Sequence, residues 1–289
     1  MLGTSASIPS TERSLSAVGL RFEGDVFLFD CGEGTQRQMM KFGLSYAKVK
    51  CIFVSHSHAD HIVGIAGLAM TLDSAKRREP LLIFCPRGAR PHIEALLSIG
   101  AYCYEISVRE VGEGKVFECD GLTVSAFEVR HSRPTLGYVF EQHGRRNFDE
   151  AKCRKLGIKG EMFGELERKG SIKVGRKAIK YESVSKPKPG VKIVYAGDCL
   201  PGDSTVAAAK GADLLIHEAT YASDHEKEAR EHLHSTASQA AELALRAGVK
   251  RLVLTHISPR YKESGQLLKE AKEIFANTEV AEDGTEIIL

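Results

Sequence analysis

The sequence predicts a layered domain of the α/β or α+β class, in which helices cover buried β-sheets. Short, continuously apolar runs of strand type recur along the 289-residue chain, and polar or helical stretches separate them. The hydrophobic fraction of 43% is enough to bury a sizeable core, and 27% of the residues are charged, which is ordinary for a globular protein. The length is compatible with one large domain.

The apolar runs predict strands that are buried on both faces, because they do not alternate between apolar and polar residues. Six such runs cover residues 26–29, 51–54, 81–84, 193–196, 214–216 and 252–254. A further strand-like run covers residues 124–129. Each run is short and is bounded by residues that favour turns, as expected for strands of a sheet core.

Apolar spacing and end signals predict three helices between these strands. Residues 62–75 repeat apolar side chains at intervals that place them on one helix face. Residues 236–247 begin with Thr236 and Gln239, a capping-box pair, and stop before a glycine. Residues 262–276 are expected to form a surface helix.

The segment 144–190 differs from the rest of the chain in composition. It has few aliphatic residues, and residues 144–192 contain 15 lysines and arginines against 6 aspartates and glutamates, a local net charge of +9. Because the whole chain has a net charge of +2, the remainder carries −7. This polarity predicts an inserted basic arm that contacts phosphates, although composition alone also fits a solvated loop with surplus lysine.

Cysteine usage and hydropathy indicate the cellular setting. The seven cysteines form no C-x-x-C pair, which predicts buried thiols in a reducing cytosol. No apolar run reaches the ~18 residues that a transmembrane helix needs. The first residues lack the basic start and apolar stretch of a signal peptide. We therefore expect a cytoplasmic protein with no membrane partner.

The segment 56–61 contains four residues of metal-ligand type, His56, His58, Asp60 and His61. They lie where a predicted strand ends and a predicted helix begins. Since His56 and His58 alternate with a small residue, their side chains point the same way in extended backbone. Imidazole and carboxylate suit zinc and related divalent ions. A lone histidine at a strand end is usually structural, but a cluster this dense predicts a metal site.

Three further residues, His131, Asp198 and His256, each follow a predicted strand. Strand ends converge on one rim of a sheet protein, where sites form. Taken singly, Asp198 could be a turn residue and the two histidines could be satisfied core residues. Together with the first cluster they predict a two-metal site: His56, His58 and His131 on one ion, Asp60, His61 and His256 on the other, and Asp198 between them.

The order and wording of these segments resemble the metallo-β-lactamase superfamily and, within it, the tRNase Z (ribonuclease Z) family of tRNA 3′-processing endoribonucleases. The resemblance rests on residues 2–4 (LGT), 29–36 (FDCGEGTQ), 55–61 (SHSHADH), 131–132 (HS), 196–198 (AGD), 217–220 (HEAT), 234–237 (HSTA) and 255–261 (THISPRY). It spans nearly the whole chain. The histidine motif alone identifies only the superfamily, whereas the other blocks are much narrower.

The resemblance implies a four-layer αβ/βα sandwich, of the α+β class, with two zinc ions at one rim and the basic arm as a tRNA-binding insertion. It implies that Asp60 is both a metal ligand and a proton acceptor, and that Glu218 and His234 act together near the leaving group. It also implies that Asp30 orients the metal-binding loop from behind the ligands. Other members of the family form homodimers, so a homodimer is expected here.

The reaction that the resemblance implies is removal of the 3′ trailer from precursor tRNA. A metal-bound hydroxide attacks the phosphodiester after the discriminator nucleotide, Asp60 takes its proton, and His234, held by Glu218, protonates the departing 3′ oxygen. The products are a tRNA with a 3′-hydroxyl and a trailer with a 5′-phosphate. Similar bacterial proteins carry a Gly-Pro pair near the turn of the arm; residues 157–164 lack that proline, so the arm is expected to grip tRNA differently.

Two other functions are compatible with the same ligand set. The first is a different hydrolase of the superfamily, such as a small-molecule phosphodiesterase, an arylsulfatase, a β-lactamase or a thioester hydrolase. The second is a non-enzymatic RNA-binding protein that has kept the fold. The basic arm and the pair of Glu218 and His234 favour the nuclease over the first, and the complete ligand set argues against the second. Manganese or iron could occupy such a site in place of zinc.

Overall fold

The computed structural model describes residues 1–175 and 177–289. By its internal contacts the chain divides into two compact units. The main unit consists of Met1–Cys119, Thr123–Phe140 and Lys192–Leu289. The second unit consists of Asp120–Leu122 and Glu141–Val191.

A first sheet of five strands forms the N-terminal part of the main unit. Its strands are β1 (Val18–Phe22), β2 (Asp25–Phe29), β3 (Val49–Phe53), β4 (Leu81–Pro86) and β5 (Ile106–Val111), paired in this order. Strands β1 and β2 are antiparallel, and β2 to β5 are parallel. The helices of this part are α1 (Thr35–Lys41), α2 (Ala59–Ile62), α3 (Gly64–Ser74) and α4 (Arg90–Leu97).

A second sheet begins with β6 (Gly114–Cys119), β7 (Leu122–Val129) and β8 (Thr135–Gln142). The chain then enters the second unit, which contains two small antiparallel sheets and two helices. In chain order its elements are β9 (Arg145–Phe148), α5 (Glu150–Lys155), α6 (Met162–Lys169), β10 (Ser171–Val174), β11 (Lys177–Lys180) and β12 (Ser185–Lys188). Strand β9 pairs with β12, and β10 pairs with β11.

The C-terminal part of the main unit completes the second sheet with four parallel strands. These are β13 (Val191–Tyr195), β14 (Leu214–Glu218), β15 (Leu252–Thr255) and β16 (Thr278–Val280), and the strand order is β16-β15-β14-β13-β8-β7-β6. Its helices are α7 (Asp203–Ala209), α8 (Glu226–Glu231), α9 (Ala237–Ala247) and α10 (Gly265–Ile274). Parallel strands place their carboxyl ends on one edge, where a site can form.

The two sheets of the main unit face each other through a layer of aromatic rings. Phe29 lies 5.6 Å from Tyr195, and Phe53 lies 5.3 Å from Tyr138, measured between ring centroids. Apolar residues of α1, α3 and α4 pack with the first sheet in one buried cluster, and residues of α7, α9 and α10 pack with the second sheet in another. The order helix, sheet, sheet, helix confirms the predicted four-layer sandwich of the α+β class.

All seven predicted strands are present, and the three predicted helices are confirmed with changes at their ends. Helix α9 has both hydrogen bonds of the capping box between Thr236 and Gln239, and Gly248 ends it in the left-handed conformation. The helix predicted over residues 62–75 is α3, which begins at Gly64, while Ile62 ends the short preceding helix α2. The helix predicted over residues 262–276 begins later, at Gly265, with Ser264 as its N-cap residue.

The prediction that all seven cysteines are buried was wrong for two of them. Cys103 is exposed and Cys119 is half-buried, whereas the other five are buried. Cys103 lies in a loop before β5, and Cys119 ends β6, which is at the edge of its sheet. Within residues 1–175 and 177–289, no helix combines the length and the apolar character needed to cross a bilayer.

Candidate metal centre

Polar side chains of the main unit meet where strands of both sheets end. His56 to His61 follow β3 of the first sheet, and His131 follows β7 of the second. Asp198 follows β13, and His256 follows β15 directly. Strands supply these positions because their backbone is fixed by the sheet, so the residues just beyond the strand ends are held in place as well.

The first group of potential ligands consists of His56, His58, His131 and Asp198, whose ligand atoms all lie within 4.8 Å of one another. Nε2 of His56 is 2.9 Å from Nδ1 of His58, and Nε2 of His131 is 3.3 Å from the same atom. Three imidazole nitrogens therefore converge on one point, which is the arrangement that a divalent cation needs.

The second group consists of Asp60, His61 and His256, again with ligand atoms within 4.8 Å. Oδ2 of Asp60 is 3.6 Å from Nε2 of His61 and 3.5 Å from Nε2 of His256. Oδ2 of Asp198 lies between the two groups, at 3.3 Å from His61, 3.2 Å from His256 and 3.7 Å from His56, measured to Nε2 in each case. The structure therefore brings together all seven residues that the sequence singled out, in the predicted two groups.

Hydrogen bonds on the far side of three rings, those of His56, His61 and His131, fix which nitrogen faces the centre. Nδ1 of His61 is 2.8 Å from Oδ2 of Asp30, and Nδ1 of His131 is 3.0 Å from the carbonyl oxygen of Leu233. Nδ1 of His56 is 3.0 Å from Oγ of Ser55, whose own proton is donated to Asp30. Each of these acceptors takes a proton from Nδ1, so Nε2 is the nitrogen that is turned toward the centre.

Burial and charge set the protonation of the ligands in the metal-free chain. Burial and the neighbouring imidazoles hold the pKa of His56 well below its usual range and lower the pKa of His58 to about 4. Burial alone would raise the pKa of Asp198, but His256 and His61 outweigh it and hold that pKa well below its usual range. Neutral imidazoles and ionised carboxylates are the forms that bind metal.

His61 is an exception among the imidazoles. Burial lowers its pKa, but the carboxylates of Asp198 and Asp30 outweigh burial and raise the pKa well above its usual range. The protonated His61 compensates the negative charge of these carboxylates. A bound cation would compensate that charge instead, so metal binding would displace a proton from His61.

Unusual backbone conformations surround the ligands. Asp30, Leu233 and His256 have φ angles of 59°, 60° and 55°, in the left-handed region that is costly for residues with a side chain. Gly197 has a φ of 66°, and a Cβ added there would lie 3.0 Å from Cβ of Ser55. Asp198 can follow this turn only because the preceding residue is glycine.

A second polar pair, Glu218 and His234, lies beside the ligands. Oε1 of Glu218 is 2.8 Å from Nδ1 of His234 and accepts a hydrogen bond of 2.9 Å from the backbone N–H of Cys199. Burial opposes protonation of His234, but Glu218 outweighs it and raises the pKa of His234 to about 9. His234 is therefore protonated at neutral pH, with Nε2–H available to donate.

A cleft of about 670 Å³ opens above the ligands, and its walls include His58, Asp60, Asp198 and His234. Tyr221 and Arg260 also line the cleft, and the Arg260 guanidinium lies 5.0 Å from the Tyr221 ring centroid. The cleft gives a substrate direct access to both ligand groups and to His234.

The donor set fits divalent cations. Five imidazoles and two carboxylates point their ligand atoms inward, while protein groups occupy the opposite nitrogen of the rings described above. Without a cation between them, imidazole nitrogens at 2.9 to 3.4 Å would face each other with few protons to share. The side chains of His56 and His61 are fully buried, which raises the cost of leaving them unpaired. The cluster is a divalent-metal centre.

Sequence reasoning missed several residues that hold the centre in place. Ser55 bonds both His56 and Asp30, and the Tyr195 hydroxyl donates to Oδ2 of Asp30 over 2.6 Å. The backbone N–H of Ser7 donates to Oδ2 of Asp60 over 2.9 Å. Thr220 contacts both His256 and Glu218. Ser55 and Thr220 lie within the SHSHADH and HEAT motifs. The sequence of a motif does not show, however, which distant group a hydroxyl or a backbone N–H will contact.

Comparisons with known proteins agree with this architecture. Residues 26–148 and 179–257 match the β-lactamase superfamily domain. This match covers most of the chain and defines its class of protein. A ribonuclease Z from Methanothermobacter thermautotrophicus is 44% identical over 98% of this chain and 93% of its own length. A ribonuclease Z from Gemmatimonas aurantiaca is 43% identical over 100% of this chain and 94% of its own length.

Solved structures give the same result. The crystal structure of the short form of human tRNase Z is 30% identical, with a TM-score of 0.70, and the match covers 98% of this chain and 96% of that one. YhfI from Bacillus subtilis, a metallo-β-lactamase fold protein, shares the fold with a TM-score of 0.73 at 18% identity. The chain belongs to the ribonuclease Z family of the β-lactamase superfamily, which confirms the resemblance noted in its motifs.

Proposed function

We propose that this protein is an endoribonuclease that removes the 3′ trailer from precursor tRNA with the help of two zinc ions. The observation that carries the proposal is the convergence of seven ligand side chains with the pair of Glu218 and His234 at one cleft. Ribonuclease Z relatives at up to 44% identity over nearly the whole chain support the same activity.

The two ions have separate ligand groups in this proposal. His56, His58 and His131 would hold one ion, Asp60, His61 and His256 would hold the other, and Asp198, whose carboxylate faces both groups, would lie between them. Histidine-rich sites with one or two carboxylates suit zinc. Asp30 and Ser55 orient the rings from behind, as the hydrogen bonds of His61 and His56 indicate.

When bound, the ions supply a water nucleophile at neutral pH and neutralise the charge of the phosphoryl oxygens. Asp60 lines the cleft and carries an ionised carboxylate, so it accepts the proton that the nucleophile loses. Attack at phosphorus breaks the bond to the 3′ oxygen of the tRNA. His234 donates its Nε2 proton to that oxygen, while Glu218 holds its Nδ1. The products are a 3′-hydroxyl on the tRNA and a 5′-phosphate on the trailer.

The second unit is proposed as the tRNA-binding arm, residues 144–190 of the sequence. It has a small hydrophobic core of its own, which includes Leu166, Ile172 and Ile179, so it presents its surface on a folded scaffold. Many of its cationic side chains are exposed, among them Lys152, Lys155, Lys159, Lys173, Lys177, Lys180, Lys186 and Lys188. Exposed lysines on a firm scaffold contact a phosphate backbone without reading its sequence.

We also propose that two copies form a homodimer. Met40 on α1, Val63 beside α3 and Met70 on α3 are large apolar side chains that are 53%, 39% and 48% exposed, and α1 packs on α3. Exposed apolar side chains on adjacent helices are typical of an interface. The molar mass in solution, with Met40→Glu/Met70→Glu as the disrupting variant, tests this proposal.

The proposed cellular location is the cytoplasm. Cys31, Cys51, Cys85, Cys153 and Cys199 are buried free thiols. Buried thiols that form no disulfide suit a reducing compartment.

Turnover of three substrates tests the proposed reaction against its alternative, a small-molecule phosphodiesterase or other hydrolase of the same fold. The substrates are a precursor tRNA, bis(p-nitrophenyl) phosphate and a cephalosporin. We expect the highest kcat/KM on the precursor tRNA, because only this substrate can use both the cleft and the basic unit. A higher kcat/KM on the nitrophenyl ester or the cephalosporin contradicts the proposal.

A further inference from the structure

The hydroxyl of Thr220 lies between two parts of the site that have so far been described separately. Thr220 follows β14, and only 4% of its surface is exposed. Its Oγ1 is 2.6 Å from Oε2 of Glu218 and 2.9 Å from Nδ1 of His256. One hydroxyl therefore touches both a proposed metal ligand and the carboxylate that holds His234.

The direction of these hydrogen bonds follows from the number of protons available. A hydroxyl has one proton, and an ionised carboxylate can only accept, so Thr220 donates to Glu218. Its contact with His256 then requires that Nδ1 of His256 carries a proton and donates it to Oγ1. Nε2 of His256 faces Asp60 and Asp198, which are 3.5 Å and 3.2 Å away, and is the nitrogen that remains for a metal.

The same carboxylate is held on its other side. Oε1 of Glu218 accepts from the backbone N–H of Cys199, the residue after Asp198, and lies 2.8 Å from Nδ1 of His234. Nδ1 of His234 is also 3.4 Å from Oγ1 of Thr220, but the shorter contact is with Glu218. A continuous chain of hydrogen bonds thus runs from His256 through Thr220 and Glu218 to His234.

We propose that Thr220 is a positioning residue that couples the metal centre to the His234 proton donor. Its hydroxyl fixes the tautomer of His256 that turns Nε2 to the metal, and it fixes the Glu218 carboxylate that orients His234. Thr220 thereby fixes the position of the His234 proton donor relative to the metal ligands. This inference rests on the proposed function, because it concerns the leaving-group step of that reaction.

Loss of the hydroxyl leaves one group without a partner and removes the shorter of two hydrogen bonds from another. In Thr220→Val the buried Nδ1–H of His256 loses its acceptor, and Oε2 of Glu218 keeps only the backbone N–H of Thr220, at 3.2 Å. Substitution of a residue behind a metal ligand lowers activity or metal affinity by about 10- to 100-fold in comparable sites. Thr220→Ser keeps the hydroxyl and removes only a methyl group.

Thr255 offers a matched control. It ends β15, is 2% exposed, and its Oγ1 has no hydrogen-bond partner among the described residues. Thr255→Val therefore makes the same chemical change in the same buried surroundings, without breaking a hydrogen bond. Any loss common to both valine variants reflects packing and not the hydrogen-bond chain.

The experiment measures kcat and KM on a precursor tRNA for these three variants at saturating zinc, with metal content determined for each. We expect kcat to fall about 10- to 100-fold in Thr220→Val with KM unchanged, and to stay within about 2-fold of wild type in Thr220→Ser and Thr255→Val. In a His234→Ala background, Thr220→Val should cause little further loss, because the step it supports is already absent.

Proton NMR gives a readout that does not depend on turnover. The Nδ1–H protons of His234 and His256 are buried in hydrogen bonds and should give downfield signals in the wild type. We expect Thr220→Val to shift or broaden both, and Thr255→Val to leave both unchanged. Equal kcat values in the two valine variants, failure of Thr220→Ser to restore kcat, or full additivity with His234→Ala overturns the inference.

Failure of the proposed function gives a different result. A wild-type protein that binds zinc but leaves precursor tRNA intact refutes the nuclease proposal, whatever the variants do. In that case the NMR signals still decide whether Thr220 links His256 to His234. Unchanged signals in Thr220→Val then overturn the inference by themselves.

Discussion

The metal centre and the basic second unit present polar groups in opposite ways. At the centre most of the polar side chains are buried, hydrogen bonds fix their orientation, and the backbone is in the left-handed region at Asp30, Leu233 and His256. In the second unit the lysines are exposed, and the hydrophobic cluster beneath them is apolar. In the proposed function, catalysis at the first region depends on distances of a few tenths of an ångström, and the proposed phosphate binding at the second depends on charge density.

This difference predicts how each region responds to substitution. The centre should fail when a single ligand is removed, because the ligands share partners, as Asp30 and Ser55 do for His56 and His61. The second unit should weaken gradually, because each lysine contributes separately to a charged surface. Three predictions, from the largest expected effect to the smallest, test this contrast.

The largest effect is expected at Asp198, whose carboxylate faces both ligand groups, and at His58, an imidazole of the first group. Asp198→Ala and His58→Ala should each abolish cleavage of precursor tRNA and reduce the bound metal, since Asp198 faces both ligand groups and His58 contacts two imidazoles. Metal content by mass spectrometry and cleavage rate are the measurements. His92→Ala, an exposed histidine on α4, is the matched control and should behave as wild type. Wild-type rates in either ligand variant refute the site.

An intermediate effect is expected from the second unit. Replacing the exposed Lys173, Lys177 and Lys180 by Gln should raise KM for precursor tRNA, leave kcat unchanged, and spare bis(p-nitrophenyl) phosphate. The slope of log KM against log salt should decrease by about 1 for each lost phosphate contact. The same change at Lys210, Lys269 and Lys272 of the main unit is the control. If both triple variants give the same KM, the second unit is not the tRNA-binding surface.

The smallest effect concerns pH. The pKa of His234 is raised to about 9 by Glu218, so His234 keeps its proton from neutral pH up to that value. We expect kcat to fall as pH rises through about 9, and the Glu218→Gln variant to lose activity at a lower pH, because burial without the carboxylate lowers the pKa of His234. A pH profile of kcat on precursor tRNA measures this. If kcat falls at the same pH in Glu218→Gln as in the wild type, His234 is not the group that donates the proton.

Much of this arrangement could be predicted from the sequence. The strands were visible as continuous apolar runs, and the ligands of segment 56–61 were visible because they are adjacent along the chain. His131, Asp198 and His256 were found because each follows a strand, and strand ends meet at one rim.

Contacts between distant residues could not be predicted in the same way. Thr220 meets His256 and Glu218 through backbone turns that depend on the complete fold, and the left-handed conformation of His256 has no glycine or asparagine to announce it. The exposure of Cys103 follows from its place in a loop before β5. Local composition does not encode which face of a loop reaches solvent.

Mapping the cut in a precursor tRNA tests the central claim most directly. The purified protein is incubated with a 5′-labelled precursor, with and without a chelator, and the product ends are sized and analysed chemically. We predict a single cut after the discriminator nucleotide that leaves a 3′-hydroxyl, is lost with the chelator, and returns when zinc is added. Cleavage that persists in chelator, or cuts scattered through the tRNA, would contradict a metal centre dedicated to this reaction.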